Sequence, residues 1–324
     1  MPMGIVIHEH GGVEKLCFEA IQVGAPGADE VRLRHTAIGV NFHDIYVRSG
    51  LYKTLRLPGI PGLDAVGVVE AVGTDVHSVR PGDRVAYITA SYGAYAEERL
   101  IAADRLIPLP SEIADGTAAA TLVRALTVWM LLSKVYLAKP QERYLVHAAA
   151  GGVGRLLCQW ATHLGAHVIG TAGSEEKAAI ALHAGCEEVI LYRQENFAQR
   201  VLEWTDGRGV DAVFDSVGMD TFDGSLECLA VRGHLINFGQ SSGAVKAFAV
   251  SRLATKSNTL SRPILFHYIE EPAERTAMAN QVFEALRSGT IVADSGAQYP
   301  LRDAAKAHQA LEMRAAIGPT VLIP

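Results

Sequence analysis

A short glycine-rich segment is the strongest chemical signal in the sequence. It runs from Ala148 to Gly154, between an apolar strand-like run, Tyr144–Ala148, and an amphipathic segment of helix length. Glycines in such a turn let the backbone approach a pyrophosphate, and the helix that follows directs its first N–H groups and positive dipole end at the phosphates. The pattern predicts a dinucleotide-binding turn, and an ordinary tight turn is the alternative. The residues predicted to contact the dinucleotide are Ala150, Gly151, Gly152, Val153 and Gly154.

The residues after the next strand indicate which dinucleotide binds. Enzymes that use NAD usually place an acid at this point to bond the ribose 2′-hydroxyl, whereas this chain has Ala172. An alanine leaves room for a 2′-phosphate, and hydroxyl and ammonium groups nearby could bind it. We therefore predict NADPH as the cofactor, with Gly173, Ser174, Lys177 and Tyr192 at its 2′-phosphate.

The same residues also allow a purely structural interpretation. Ser174 is placed to cap the N-terminus of the following helix, and Lys177 could be a solvated side chain. Two acids, Glu175 and Glu176, lie close by, and at the first turn of a helix they would complement its dipole. The sequence leaves this alternative open.

Two further turns follow the fourth and fifth strand-like runs. In an open parallel sheet, ligands bind beyond the carboxyl ends of the strands. Small residues there would let the nicotinamide half of the cofactor pass close to the backbone, and ordinary strand-to-helix loops are the alternative. The candidate residues are Ser216, Val217, Phe238, Gly239, Gln240 and Ser241.

These turns need a parallel sheet to bring them together, and the hydrophobic pattern predicts one. Apolar runs alternate with helix-length segments in this part of the chain, which is typical of βαβ units. The predicted strands are Tyr144–Ala148, His167–Thr171, Glu188–Leu191, Val210–Asp215 and His234–Phe238. Before residue 110, short β-like runs broken by glycine and proline predict a compact, partly barrel-like β domain.

The remaining predicted elements are one long apolar helix, two later helices and a final strand. Ser111 is predicted to cap the long helix, which continues to about Val135. Glu274–Arg287 and Asp303–Arg314 are predicted as helices, and Thr320–Ile323 as a strand. Because a lone C-terminal strand needs a sheet to join, we expect it to return to the N-terminal domain.

The composition favours a globular protein whose cysteines are reduced. The 324 residues are 49% hydrophobic and 20% charged, and a formal net charge of −6 gives no support for nucleic acid or anionic lipid as a partner. The N-terminal residues lack the pattern of a signal peptide, and no segment offers about 20 uninterrupted apolar residues. The four cysteines lie far apart, so we expect free thiols in a cytoplasmic protein.

Several motifs taken together resemble a known family. They are Ala37–Asp44, Arg48–Tyr52, Pro61–Gly67, Pro81–Val85 and His147–Gly154, followed by Gln159. Over essentially its whole length the sequence resembles the medium-chain dehydrogenase/reductases, and among them the zinc-independent quinone oxidoreductases related to zeta-crystallin. The resemblance implies an α/β fold in which a Rossmann-type doubly wound parallel sheet is inserted into a GroES-like β-rich catalytic domain. The implied catalytic domain spans residues 1–125 and 267–324, and the implied NADP-binding domain spans residues 126–266.

The chain departs from the zinc-dependent members of that superfamily. Those members carry a cysteine in the segment that matches Val40-Asn41-Phe42, and a Gly-His-Glu in the segment that matches Gly62-Leu63-Asp64. This chain has Asn41, and Leu63-Asp64, instead. There are also no four closely spaced cysteines for a structural zinc. We therefore expect no metal site, and a reaction in which hydride reduces an electron-poor acceptor rather than one in which a metal activates an alcohol.

The resemblance also implies the residues of the site. Four of them are placed around the nicotinamide and the substrate: Asn41, Asp44, Tyr46 and Tyr52. Asn41 and the tyrosines would donate to a carbonyl oxygen that gains negative charge, and Tyr52 or a water would deliver the proton. Cofactor contacts are implied for Met130, where a relative has a tyrosine, and for Phe266, whose segment could equally belong to a subunit interface. For each tyrosine the alternative is a packing role.

Three functions follow from these observations. The first is an NADPH-dependent quinone oxidoreductase that binds a small-molecule quinone. The second is an NADPH-dependent enoyl or alkenal reductase on the same scaffold. The third is a non-catalytic crystallin-like or RNA-binding role, against which the intact cofactor turns and the negative net charge both argue. The resemblance further implies a homodimer.

Overall fold

The structure is a computed structural model that describes residues 1–294, 296–313 and 318–324. The chain divides into two compact units. Unit 1 comprises Met1–Val123, Ile269–Phe283 and Ala293–Pro324, and unit 2 comprises Arg124–Tyr268 and Glu284–Val292. The domain limits inferred from the sequence, after residues 125 and 266, remain a prediction.

The strands and helices are numbered in chain order. The strands are β1 (Met3–Val6), β2 (Cys17–Ala20), β3 (Glu30–Val40), β4 (Asp64–Val72), β5 (Arg84–Ile88), β6 (Glu98–Ala102), β7 (Leu106–Pro108), β8 (Arg143–Val146), β9 (His167–Ala172), β10 (Glu188–Leu191), β11 (Val210–Asp215), β12 (Leu229–Asn237), β13 (Thr259–Ser261), β14 (Ala297–Pro300) and β15 (Thr320–Ile323). The α-helices are α1 (Phe42–Ser49), α2 (Asp115–Met130), α3 (Gly152–His163), α4 (Glu175–His183), α5 (Phe197–Trp204), α6 (Phe222–Glu227), α7 (Pro272–Arg287) and α8 (Ala304–Glu312). A π-helical turn, Leu131–Val135, extends α2.

Unit 1 is built around a largely antiparallel sheet of seven strands. Its order is β14-β15-β3-β4-β5-β7, with β6 paired to β3, and β1 and β2 form a separate antiparallel pair. The final strand β15 runs antiparallel to β3, so that Val321 lies opposite Gly39. The expected return of the C-terminal strand to the N-terminal part of the chain is therefore confirmed. The physical reason is that the backbone groups of this buried strand need partners.

Side-chain alternation along β3 defines the core of unit 1. Val31, Leu33 and His35 are buried, whereas Arg34 is exposed and Arg32 is half-buried. Successive side chains of a strand point to opposite faces, so one face of β3 lines the core while the other faces solvent. The buried face packs in one apolar cluster with residues from β6 and β15.

Unit 2 contains a six-stranded parallel sheet in the order β10-β9-β8-β11-β12-β13. This is the strand order of doubly wound dinucleotide-binding folds, so the predicted fold class is confirmed. All five predicted strands are present, although β12 begins at Leu229 rather than at His234. The sixth strand, β13, was not predicted because its three residues are too few to show a hydrophobic period.

The start of the long helix differs from the prediction. Ser111 does not cap it, because α2 begins at Asp115 and the Ile113 N–H instead closes a turn onto the Pro110 carbonyl at 3.1 Å. Arg84 holds this turn by donating to the Ile113 carbonyl at 2.7 Å and, through Nε, to the Asp115 carboxylate at 3.0 Å. A tertiary contact thus overrides the local capping signal.

Both later helices are confirmed. Helix α7 ends at Arg287 as predicted, and α8 covers Ala304–Glu312, while the predicted end at Arg314 lies outside the described residues. Within the described residues, one helical segment, Asp115–Val135, is long and apolar enough to cross a membrane by length and composition alone. Of its most apolar stretch, 67% is buried inside the protein, as it is in the core helices of many proteins.

The closing strand should contribute strongly to stability. Leu322 on β15 is fully buried in the core of unit 1, so Leu322→Ala is expected to lower the free energy of unfolding by about 2–5 kcal/mol through lost burial and cavity formation. Chemical denaturation measures this change. Met313→Ala, at a side chain 69% exposed, is the matched control and should change it by less than about 0.5 kcal/mol. Equal effects would contradict the packing role of β15.

Candidate functional site

The glycine-rich turn of unit 2 connects β8 to α3 and is tied to β9. The Ala149 N–H donates to the Thr171 carbonyl at 3.0 Å, and the Ala148 N–H donates to the Thr171 hydroxyl at 3.2 Å. Gly151 is the N-cap of α3, and the Arg155 N–H bonds back to its carbonyl at 2.9 Å. Because the first N–H groups of a helix have no acceptor within that helix, those of Gly152 to Gly154 suit an anion.

Gly154 is required by the close packing of α3 against this turn. A Cβ at Gly154 would lie 2.3 Å from the Ala148 carbonyl oxygen, which is backbone and cannot yield. A glycine is therefore needed where the helix begins. Arg124, which was not predicted as a site residue, lies beside the same turn: its Nε would be 2.7 Å from a Cβ built on Gly152. A guanidinium beside this turn adds positive charge where the phosphates of a dinucleotide would lie.

The carboxyl end of β9 brings together the residues predicted at the 2′-phosphate. The Tyr192 N–H donates to the Ala172 carbonyl at 3.3 Å, and the Tyr192 hydroxyl lies beside Gly173. Ser174 is the N-cap of α4, and its hydroxyl accepts a hydrogen bond from the Lys177 N–H at 3.4 Å. The capping alternative raised by the sequence is therefore real for Ser174. It does not exclude a ligand, because a hydroxyl that accepts one bond can still donate its own hydrogen.

The turns after β11 and β12 pack directly against each other. The Ser241 N–H donates to the Ser216 carbonyl at 3.2 Å, and the Phe238 N–H donates to the Asp215 carbonyl at 2.8 Å. A Cβ on Gly239 would lie 2.5 Å from the Ser216 carbonyl oxygen. The structure thus places the six residues predicted in these two turns at one edge of the sheet.

Asp215 organises the first of these turns and was not predicted as a site residue. It is fully buried, and its Oδ1 accepts from the Val217 N–H at 2.8 Å, the Gly218 N–H at 3.1 Å and the Thr221 hydroxyl at 2.8 Å. An acid that follows a strand and accepts from the backbone two residues later is a known turn signal, so the sequence could have revealed it. The two remaining predicted cofactor residues are buried Met130 in α2 and half-buried Phe266 in a 3₁₀ turn, Leu265–Tyr268.

In unit 1 the structure brings Asn41 and Asp44 together at the start of α1. Asn41 is the N-cap residue, and its backbone N–H donates to Asp44 Oδ2 at 2.7 Å. Its side-chain Nδ2 donates to Asp64 Oδ1 at 2.8 Å. Asp64 is 2% exposed, and it fits because a Cβ at Gly39 would lie only 2.2 Å from its Oδ2. Asp64 therefore fixes the orientation of the Asn41 amide.

An aromatic cluster follows along α1 and the next loop. The rings of Tyr46 and Tyr52 are edge to face with centroids 5.1 Å apart, and the ring of His43 lies 5.2 Å from that of Tyr52. His43 Nε2 is 3.1 Å from the hydroxyl of Tyr92, whose φ is +58°. Burial lowers the pKa of His43 to about 4, so its imidazole is neutral at pH 7. His43 and Tyr92 join the predicted tyrosines through ring geometry that no sequence spacing reveals.

The positions that match zinc ligands do not fit a metal in this chain. The Asn41 amide nitrogen already bonds to the Asp64 carboxylate, and amide nitrogen is not a zinc ligand. Leu63, at the position of a histidine ligand, is apolar and 3% exposed. Over residues 1–294, 296–313 and 318–324, no group of three or more His, Cys, Asp or Glu side chains could hold a metal ion. Independence from zinc remains a prediction.

Two known domain families match separate parts of the chain. The model of the alcohol dehydrogenase GroES-like domain matches residues 27–111, and the model described as zinc-binding dehydrogenase matches residues 152–283. A GroES-like unit and a doubly wound unit with this glycine turn define a medium-chain dehydrogenase/reductase.

Comparison with individual proteins identifies the family within this superfamily. The chain is 44% identical over 327 residues to quinone oxidoreductase 1 of Escherichia coli K12, with all of both chains covered. A crystal structure of E. coli quinone oxidoreductase complexed with NADPH superposes with a TM-score of 0.96 at 44% identity, covering 99% of this chain and 100% of that one. The 2-haloacrylate reductase of a Burkholderia species is 40% identical, with 100% and 99% covered. The chain belongs to the quinone oxidoreductase family of the medium-chain dehydrogenase/reductases.

Three buried histidines should make unit 1 sensitive to acid. Burial lowers the pKa of His35 and of His308 to about 3 and that of His43 to about 4, from an ordinary value of 6.5. The unfolded chain therefore binds more protons between those values, so the stabilisation is complete above pH 6.5 and is lost as the pH falls toward 3. Denaturant unfolding at pH 7, 6 and 5 should show a falling free energy of unfolding.

Carboxylates also titrate in acid, so a variant is needed to distinguish the contribution of the histidines to the pH dependence from that of the carboxylates. His35→Gln should make the free energy of unfolding less dependent on pH than it is in the unmodified protein. An unchanged pH dependence in His35→Gln would contradict the assignment.

Proposed function

We propose that this protein transfers a hydride from NADPH to a quinone without a metal ion. The observation on which this rests is the 44% identity over the full length to quinone oxidoreductases, together with an NADPH complex among the similar structures. The residues of this chain agree with that chemistry, since the Asn41–Asp64 pair offers a hydrogen-bond donor where zinc-dependent relatives carry metal ligands.

Unit 2 would hold the cofactor, whose reduced nicotinamide supplies the hydride. The N–H groups at the start of α3 would bind the pyrophosphate, and Arg124 would add positive charge beside them. Ser174, Lys177 and Tyr192 would bind the 2′-phosphate, which has no acid at Ala172 to repel it. The paired turns after β11 and β12 would lie along the nicotinamide half.

Unit 1 would bind the quinone. The Asn41 amide has two N–H hydrogens; one goes to Asp64, and the other can donate to a quinone oxygen that becomes negative as hydride arrives. The Tyr46 and Tyr52 rings would pack against the quinone, and the Tyr52 hydroxyl or a water would deliver the proton. One hydride and one proton convert the quinone to the hydroquinone, so the reaction balances without a further reductant.

A second function has specific support. The 40% identity to 2-haloacrylate reductase favours reduction of a carbon–carbon double bond conjugated to a carbonyl group. The same donor would then stabilise the enolate oxygen, and hydride would enter at carbon. We also propose a cytoplasmic homodimer, an inference supported by the family and by four free cysteines among the described residues.

A direct assay tests the choice of substrate. Consumption of NADPH, followed by its absorbance, should be fastest with 1,4-benzoquinone or a larger ortho-quinone and slower with an enone, because the quinone is the more electron-poor acceptor. The same assay with 2-chloroacrylate tests the second function. Faster turnover of either alkene than of both quinones would overturn the first proposal in favour of the second.

The choice of cofactor is tested at Lys177. Lys177→Ala should raise the KM for NADPH roughly 10- to 150-fold, since a charge-assisted hydrogen bond contributes about 1.5–3 kcal/mol and 1.4 kcal/mol is tenfold. The KM for NADH should change little because NADH lacks the 2′-phosphate. Lys139→Ala, at a side chain 72% exposed in the same unit, is the matched control. An equal rise for both cofactors would show that Lys177 does not recognise the phosphate.

A further inference from the structure

A chain of polar side chains in unit 1 connects α8 to α1. At one end, the Glu312 carboxylate accepts a hydrogen bond from Arg48 Nη2. Arg48 Nη1 lies 3.2 Å from His308 Nδ1, and His308 Nε2 lies 2.9 Å from the Tyr95 hydroxyl. That hydroxyl donates to Asp44 Oδ2 at 3.2 Å. Between the two carboxylates, the three linking residues are at most 2% exposed, so water does not compete for their hydrogen bonds.

In this series of side chains, the donor and the acceptor of each hydrogen bond can be assigned. A guanidinium can only donate, so His308 Nδ1 must accept from Arg48. Burial and the Arg48 charge lower the pKa of His308 to about 3, so the imidazole is neutral and its one hydrogen lies on Nε2. His308 therefore donates to the Tyr95 oxygen, and the Tyr95 hydrogen is left to point at Asp44.

The last two links reach the proposed donor to the substrate. Burial and the nearby Asp44 raise the pKa of Tyr95 well above 10, so its hydroxyl stays protonated and able to donate. Asp44 Oδ2 accepts both this bond and the Asn41 backbone N–H at 2.7 Å. The position of Asn41 thus depends on Asp64 at its side chain and, through Asp44, on α8, whose His308 lies 260 residues after Arg48.

We propose that His308 is a positioning residue of the active site: held as the Nε2–H tautomer by Arg48, it orients Tyr95 and so fixes the Asp44 carboxylate that holds Asn41. This inference rests on the proposed function, in which Asn41 is the donor to the substrate. Because a guanidinium does not lose its proton, this series of hydrogen bonds cannot conduct protons to the surface. Its effect is to hold one orientation of the donor.

Kinetics with NADPH and 1,4-benzoquinone give the first test. His308→Leu removes both hydrogen bonds and should lower kcat about 10- to 100-fold, as expected when a reacting group is misplaced. The KM for NADPH should stay within about twofold, because the proposed cofactor residues belong to unit 2. His308→Gln can accept from Arg48 and donate to Tyr95, so it should restore kcat to within about threefold of the unmodified protein. His183→Leu, at an exposed histidine, is the control.

A second variant covers the case in which His308→Leu does not fold. Tyr95→Phe keeps the ring and removes only the hydroxyl, so it should lower kcat in the same way with an unchanged KM for NADPH. A wild-type kcat in Tyr95→Phe or His308→Leu would overturn the proposal. So would a His308→Gln variant that is folded, by its circular dichroism, and as inactive as His308→Leu.

A readout independent of activity separates this inference from the proposed function. Long-range ¹H–¹⁵N correlation spectra of the ¹⁵N-histidine-labelled protein should show His308, assigned by its loss in His308→Gln, as a neutral Nε2–H tautomer from pH 8 to pH 5. A neutral Nδ1–H tautomer, or protonation within that range, would overturn the proposal. If quinone turnover is absent in the unmodified protein while this tautomer is observed, the proposed function fails and the hydrogen-bond chain stands.

Discussion

The side-chain hydrogen bond from Asn41 to Asp64 is the interaction on which the proposed chemistry depends. It joins the start of α1 to the start of β4 and leaves the amide with one further N–H to donate. The bond is possible because Gly39 on the neighbouring strand has no Cβ to occupy the space of the Asp64 carboxylate. A hydrogen-bond donor fixed in this way stabilises charge that appears during the reaction, since no reorganisation is needed when the charge develops.

In unit 2, a glycine and a buried carboxylate likewise hold groups in position, but the groups are backbone turns rather than a side chain. Gly154 lets α3 begin against the Ala148 carbonyl, and Asp215 holds the next turn by accepting from two backbone N–H groups. Both residues hold turns at the carboxyl edge of a parallel sheet, where ligands bind in such folds. In the proposed function, one unit would hold the hydride donor and the other would supply hydrogen bonds to the acceptor.

One prediction from the sequence failed and one strand was missed, for reasons that are visible in the structure. Ser111 does not cap α2, because Arg84 holds the preceding turn and moves the start of the helix to Asp115. Strand β13 was missed because three residues show no period, and it forms by adding to the edge of an existing sheet. In each case a partner distant in sequence decided the local conformation.

The sequence by itself determined the alternation of strands and helices, the position of the glycine-rich turn and the absence of an acid at Ala172, because hydrophobic period and glycine placement are local properties. The resemblance further predicts Asn41, Asp44, Tyr46 and Tyr52 as site residues. Only the tertiary structure revealed that His308 and Tyr95 lie behind Asp44 and that His43 joins the tyrosines. No sequence interval predicts hydrogen bonds between side chains that are hundreds of residues apart, because the fold sets the distance between them.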